Sequence, residues 1–271
     1  MARADVTGVP GGIPLCQVDQ GSSCGACCGL YNIPNLSIQR LNQLLHKRSR
    51  RLRSLPRSIE ALDGFAEAEQ QEVGRDRPYP EFHHCPFVGF IDDSLGRVGC
   101  LLHPCLPENR GIDYRGLSYY GGAACRLYFC PSHTQLEPVF KRILQRSEPG
   151  WYLYGLMLTE HRLLRAFFKE IEARLGRSLR ESDIDPANGS REHLLRFLSL
   201  KERWPYRHSS SCGPCHHVFE SRPPGGIEPE SRLEVMLSEL ETDERSPSVR
   251  LQAEADLDGV LKQLVRAMQA D

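Results

Sequence analysis

Between Cys85 and Cys130 the chain carries five cysteines, Cys85, Cys100, Cys105, Cys125 and Cys130, with His83, His84 and His103 beside them. Cys85 and Cys130 each precede a proline. Glycines and tyrosines fill the gaps, as in Tyr119-Tyr120-Gly121-Gly122, and no helical or strand period runs through the stretch. A segment without a regular apolar face must be held another way, by disulfides or by metal. Upstream, Cys24-Gly25-Ala26-Cys27-Cys28 adds three thiols on a tight, glycine-containing loop. The two-residue gap between Cys24 and Cys27 lets both sulfurs turn inward, as in zinc and iron–sulfur half-sites. Neighbouring side chains diverge, so Cys27 and Cys28 suit different metal atoms; the other reading makes one a ligand and one a packed thiol. Cys16 is near enough in sequence to join the same site. The two stretches are expected to close on one another around metal.

Composition sets the redox argument. The chain has 271 residues, 40% of them apolar and 25% charged, ordinary values for a soluble globular protein. Its formal net charge of −1 predicts no bulk attraction to nucleic acid or to an acidic membrane surface. The first residues hold no apolar run of signal-sequence type, and no later stretch reaches bilayer length. The expectation is a cytoplasmic protein with no membrane partner. In a reducing cytosol thiols stay unbridged, and eleven cysteines is an odd number, so metal is favoured over a disulfide frame.

Other groups have a functional and a plain reading side by side. Cys212-Gly213-Pro214-Cys215-His216 fits the haem-attachment pattern and the thioredoxin-type pair, and its thiols with His216 or His217 would also suit a zinc half-site. It lies in a polar stretch and is left unassigned. His83, His84 and His103 are more simply hydrogen-bonding residues than ligands. Asp113 and Arg115 either pair with each other or orient a metal-bound substrate. The basic run Lys47, Arg48, Arg50, Arg51 and Arg53 reads as a solvated helix end. Glu60, Asp63, Glu67, Glu69 and Glu72 follow and neutralise it locally.

The elements that position these groups are mostly helical. Ser37 caps a helix whose face is Ile38, Leu41, Leu45, Leu52 and Leu55. Beyond Pro131, helices are predicted over Leu136 to Leu144, over Trp151 to Leu175 with Gly176 as C-cap, and over Arg191 to Lys201. Residues 206 to 247 read as a linker containing a short acidic amphipathic segment. A last helix, Val249 to Met268, turns Leu257, Leu261, Leu264, Val265 and Met268 to one side, free to dock on the body or on a partner protein. The fold class is mainly α with an irregular, metal-organised cysteine-rich lobe and a helical bundle packed behind it. The expected organisation is a cysteine lobe over 1–135, a helical region over 136–205, and a linker with the terminal helix over 206–271.

The order Cys24-Gly25-Ala26-Cys27-Cys28, a helix, Cys85-Pro86-Phe87, Cys100-Leu101-Leu102-His103-Pro104 and Cys125-Arg126-Leu127-Tyr128 resembles the cysteine-cluster family, whose members are described as zinc- or iron-chelating domains. The resemblance spans about residues 16 to 131. It implies metal ligation by Cys24, Cys27, Cys28, Cys85, Cys100 and Cys125. The family usually has a further cysteine two or three residues before the position of Cys24, where this chain has Gln20 and Gly21, so Cys16, Cys105 or Cys130 would substitute. Flagellin lysine N-methylases, also members, are thought to use an iron–sulfur cluster.

Two functions are compatible with this. One is a metal-binding module holding an iron–sulfur cluster or Zn2+ through thiolates. The other is a metal-dependent enzyme acting on a protein or peptide side chain, in the manner of a lysine N-methylase. The thiols outnumber the four ligands of one tetrahedral zinc, and Cys-Pro pairs lean towards iron–sulfur. No catalytic residue is assigned.

Overall fold

The computed structural model describes residues 8–18, 22–74, 76–92, 94, 96–208, 212–213, 231–243 and 245–270. In chain order its helices are α1 (Ile38–Ser54), α2 (Ile59–Val73), α3 (Gly121–Leu127), α4 (Ser132–Gln135) and α5 (Pro138–Arg146). They continue with α6 (Gly150–Leu158), α7 (His161–Leu175), α8 (Ser190–Arg203), α9 (Arg232–Glu239) and α10 (Pro247–Gln269). Two short strands, β1 (Val88–Phe90) and β2 (Val98–Cys100), pair antiparallel with Val88 opposite Cys100. The protein is mainly α, and it divides into two compact units.

The first unit comprises Cys16–Cys130 with Gly150–Gly155. Its α1 begins where the Ser37 side chain accepts the Arg40 amide at 3.2 Å, and α2 begins the same way at Ser58. Leu41, Leu45 and Leu52 are buried as their spacing demands, whereas Ile38 at the entry is 37% exposed. Leu52, Leu62, Phe65, Phe87, Leu101 and Leu102 form a core that also takes in Cys85, Cys28 and Cys100. Phe65 stacks on Phe87 with centroids 5.8 Å apart. α1 packs on β1 at Gly89, where an added Cβ would lie 2.7 Å from Ser49 Oγ and from the Leu101 side chain. The hairpin and α3 are regular structure in the stretch expected to be irregular. Each is too short for a period to show.

The second unit comprises the described parts of Met1–Leu15, Pro131–Pro149 and Leu156–Asp271. α7 packs on α9, and α8 on α10. Phe140 stacks on Phe168 at 4.7 Å and Phe167 on Phe197 at 3.6 Å. The single helix expected over Trp151 to Leu175 is two, α6 and α7, broken at Thr159 and Glu160. Glu160 leaves helical geometry at ψ 54°, and its fully buried carboxylate pairs with buried Lys201 at 3.3 Å. Gly176 closes α7 in the left-handed region at φ 67°, as expected. The acidic amphipathic segment becomes α9, opened by a capping box between Ser231 and Glu234. α10 buries Leu257, Leu261, Leu264 and Val265 within its own unit. No described helix is long and apolar enough to cross a membrane.

Candidate metal centre

The first thiol loop is short and tightly held. Cys16 and Cys24 lie side by side, the Cys24 amide donating to the Cys16 carbonyl at 2.9 Å beside a β-bridge between Gln17 and Ser23. Ala26–Cys28 makes one 3-10 turn, closed by Gly29 at φ 72°. Gly29 is required twice over: its φ is left-handed, and an added Cβ would fall 2.0 Å from the His83 carbonyl oxygen. That approach places the turn against the second cysteine stretch, where the Cys85 amide donates to the Cys28 carbonyl at 2.8 Å. Pairing of β1 with β2 then brings Cys100 across from Val88. Cys125 arrives on α3, its sulfur 3.1 Å from Ser118 Oγ.

Eight of the nine cysteines singled out from the sequence act electrostatically on one another, and Cys27 and Cys28 link those around Cys16 and Cys24 to those around Cys85 and Cys100. Burial drives Cys16 and Cys24 far above the ordinary thiol value, with Cys27 and Cys130 adding to both and Cys16 adding to Cys24. Cys28 is raised well above it by a hydrogen bond to Cys27, by burial, and by the charges of Cys27, Cys85 and Cys100. Cys85 is pushed up to about 12 by burial and then by Cys100, with Cys125 contributing. Burial pushes Cys100 to about 11, with Cys125 adding to it. Cys27 moves the other way, because the Cys28 thiol and the backbone amides of the turn donate to it. Cys105 is exposed, its amide donating to His103 Nδ1 at 3.2 Å, and none of these interactions involves it.

Sulfur is already met by donors of the kind that favour thiolate. Cys24 Sγ accepts the Ala26 amide at 3.4 Å, Cys85 accepts that of Phe87, and Cys100 that of Leu102. Each is the amide two residues further along. None of the described cysteines is in a disulfide. Among the described residues, no group of three or more Cys, His, Asp or Glu side chains stands in a geometry that would hold a metal ion as placed. The thiols are gathered rather than closed.

The imidazoles have other work. Arg48 Nη1 donates to His84 Nε2 at 2.8 Å, and His84 Nδ1 donates to the Gly29 carbonyl at 2.6 Å, so both nitrogens are engaged. Burial, with Arg48 beside it, holds His84 well below the usual histidine range. His83 stacks on Tyr119 with centroids 3.9 Å apart, and burial brings it down to about 4. Asp113 and Arg115 do pair, at 2.8 Å, and Arg126 joins at 2.8 Å; the Arg115 hydrogen bonds hold the Asp113 carboxyl far below its usual range. The Arg115 charge also reaches Cys100 and Cys125. Cys212 is half-buried, while Cys215, His216 and His217 lie outside the described residues.

Two neighbours of the thiols carry signals that composition did not convey. Arg48, expected on a solvated helix end, is fully buried; Glu69 balances it at 3.0 Å and its Nη1 reaches the Cys85 carbonyl at 3.4 Å. Its Nη2 is buried with no acceptor, and its charge acts on Cys85. Tyr128 has a buried hydroxyl, also without a partner, and Cys130, Cys27, Cys16 and Cys24 all act on it. Tyr128 stands in the Cys125-Arg126-Leu127-Tyr128 element already noted; Arg48 was legible only as one of five basic residues.

The chain matches no family model, no curated protein and no solved structure.

Proposed function

We propose that the chain is a metal-binding protein of the cysteine-cluster type, ligating an iron–sulfur cluster or zinc through thiolates. The observation that carries this reading is the gathering of Cys16, Cys24, Cys27, Cys28, Cys85, Cys100, Cys125 and Cys130 in one unit with no disulfide among them. Burial and neighbouring thiols make Cys85 and Cys100 resist ionisation. A thiophilic cation reverses the sign of that crowding, displacing the protons and turning mutual repulsion into shared ligation. Amides directed at Cys24, Cys85 and Cys100 support the thiolate form. When bound, the metal would cross-link segments that the small hairpin and the short turns hold only locally, so its free energy would add to folding.

Metal and acid-labile sulfide per chain, measured on protein purified without oxygen, test this reading. Iron with matching sulfide, or zinc without sulfide, is the expected result. Folded protein that contains neither contradicts it.

A further inference from the structure

We propose that Cys16 and Cys24 are a site of reversible oxidation, the two halves of a cross-strand disulfide. The proposal concerns the reduced, metal-free chain and does not depend on the metal-binding reading above.

Strand register puts the two side chains together. Gln17 and Ser23 form an antiparallel bridge, flanked by the Val18 amide on the Ser22 carbonyl at 3.0 Å and the Cys24 amide on the Cys16 carbonyl at 2.9 Å. That pattern makes Gln17 and Ser23 a non-hydrogen-bonded pair, with Cys16 and Cys24 directly opposed at the next position. What the bridge pair touches fixes the faces. Gln17 Nε2 donates to the Val98 carbonyl at 2.6 Å, and Ser23 Oγ accepts the Val98 amide at 2.8 Å. Both side chains therefore turn to β2. Strand alternation sends those of Cys16 and Cys24 to the opposite face, side by side. Among the described residues, no other two cysteines stand opposite one another in a strand pairing.

The spacing suits a bond that forms and is undone. Opposed residues of this kind have Cα atoms about 5.5 Å apart, inside the roughly 4.4–6.8 Å that a disulfide spans. Their Cβ atoms lie about 4.5–5.5 Å apart against about 3.5–4.5 Å in a disulfide, so closure draws the strands together by about 1 Å. Gln17 and Ser23, fixed on Val98, resist that movement, and a bond closed against resistance is more easily reduced. The Ala26 amide, donating to Cys24 Sγ at 3.4 Å, favours that sulfur as thiolate. Cys27, the other near partner for Cys24, has its sulfur engaged by the Cys28 thiol and the amides of its own turn.

The oxidant is a small organic disulfide such as glutathione disulfide. One cysteine thiolate attacks a sulfur of the oxidant, forming a mixed disulfide and expelling one glutathione thiolate. The second cysteine gives its proton to solvent, attacks the protein sulfur of the mixed disulfide and expels the other. The cysteines lose two electrons and two protons, and the oxidant becomes two glutathione molecules. Under the thiolate-ligation reading, the bond withdraws both sulfurs, so oxidation and ligation at Cys16 and Cys24 exclude one another.

The test uses the reduced full-length chain, treated with a chelator and equilibrated with graded ratios of glutathione disulfide to glutathione, then alkylated. Cleavage before Asp19 separates Cys16 from Cys24, Cys27 and Cys28, and fragmentation in the mass spectrometer assigns the linked sulfur. The Cys16–Cys24 link is expected to be the first cross-link to appear and to vanish as glutathione is raised, with helical circular dichroism unchanged. Cys16→Ser should leave Cys24 alkylated at the ratio that bridges the wild type. A first cross-link between Cys24 and Cys27, or none at any ratio in folded wild-type protein, overturns the proposal. A link that forms only as the helical signal is lost overturns it too. A chain that forms the bridge yet binds neither iron nor zinc upholds the proposal and strikes the proposed function alone.

Discussion

Arg48 and Glu69 show how much one buried pair can organise. Both side chains are fully buried, and the guanidinium ties α1 to α2 through Glu69, to His84 and to the Cys85 carbonyl. Burial lowers the Arg48 pKa while Glu69 works against that fall; an arginine stays charged throughout. Arg51 also reaches Glu69 from the surface, so that carboxylate holds two cations. Removing it strands the buried charge of Arg48. Glu69→Ala is therefore expected to destabilise the chain by about 3–5 kcal/mol, the usual cost of breaking a buried pair from one side. Urea denaturation monitored by circular dichroism would measure it, and a loss under about 1 kcal/mol would show that Arg48 does not depend on Glu69. From composition the run Lys47 to Arg53 reads as one basic strip neutralised by the acidic residues that follow. Lys47 with Glu72 and Arg51 with Glu69 conform to that. Arg48 does not, since helical phase within a run of cations says little about which one faces a carboxylate from another helix.

At the scale of elements, the turn over Ala26–Cys28 decides where Cys27 and Cys28 lie. Its closure at Gly29 needs a positive φ and an approach to His83 that leaves no room for a side chain. Gly29→Ala is expected to cost about 1–3 kcal/mol from the backbone conformation alone, before the clash with the His83 carbonyl. Bound metal per chain should fall with it, as both thiols shift. Gly64→Ala is the matched control: Gly64 lies inside α2, where an added Cβ meets nothing within 4 Å, and Ala there should raise stability by about 0.5–1 kcal/mol. Thermal unfolding with metal analysis separates the two, and equal effects would mean the turn does not govern the thiols. Much of the helical part was readable because its signals are local, as with Ser37 before α1 and Gly176 after α7. The break between α6 and α7 was not, because Trp151 to Leu175 is apolar enough to continue. What ends α6 is the burial of Glu160 against Lys201 on α8, a partner no window around Glu160 contains.

For the whole molecule, sequence motifs single out the thiols, and the fold brings eight of them into one unit. Motif spacing groups Cys24, Cys27 and Cys28 by proximity in the chain, and the fold keeps Cys27 and Cys28 hydrogen-bonded in one turn while bringing Cys85 and Cys100 to Cys28. Cys85 beside Cys28, and Cys100 in the same core, are consequences of one backbone hydrogen bond and of the β1–β2 hairpin, an element too short to announce itself. Cys105 looked equal to its neighbours until its exposure set it apart. The central claim is that these eight sulfurs ligate metal. X-ray absorption at the edge of the metal bound by protein purified without oxygen tests it most directly. A first shell of sulfur alone, about four atoms per metal near 2.3 Å for zinc, is the predicted result, with an added metal–metal distance if the centre is an iron–sulfur cluster. A first shell of nitrogen and oxygen would contradict the account.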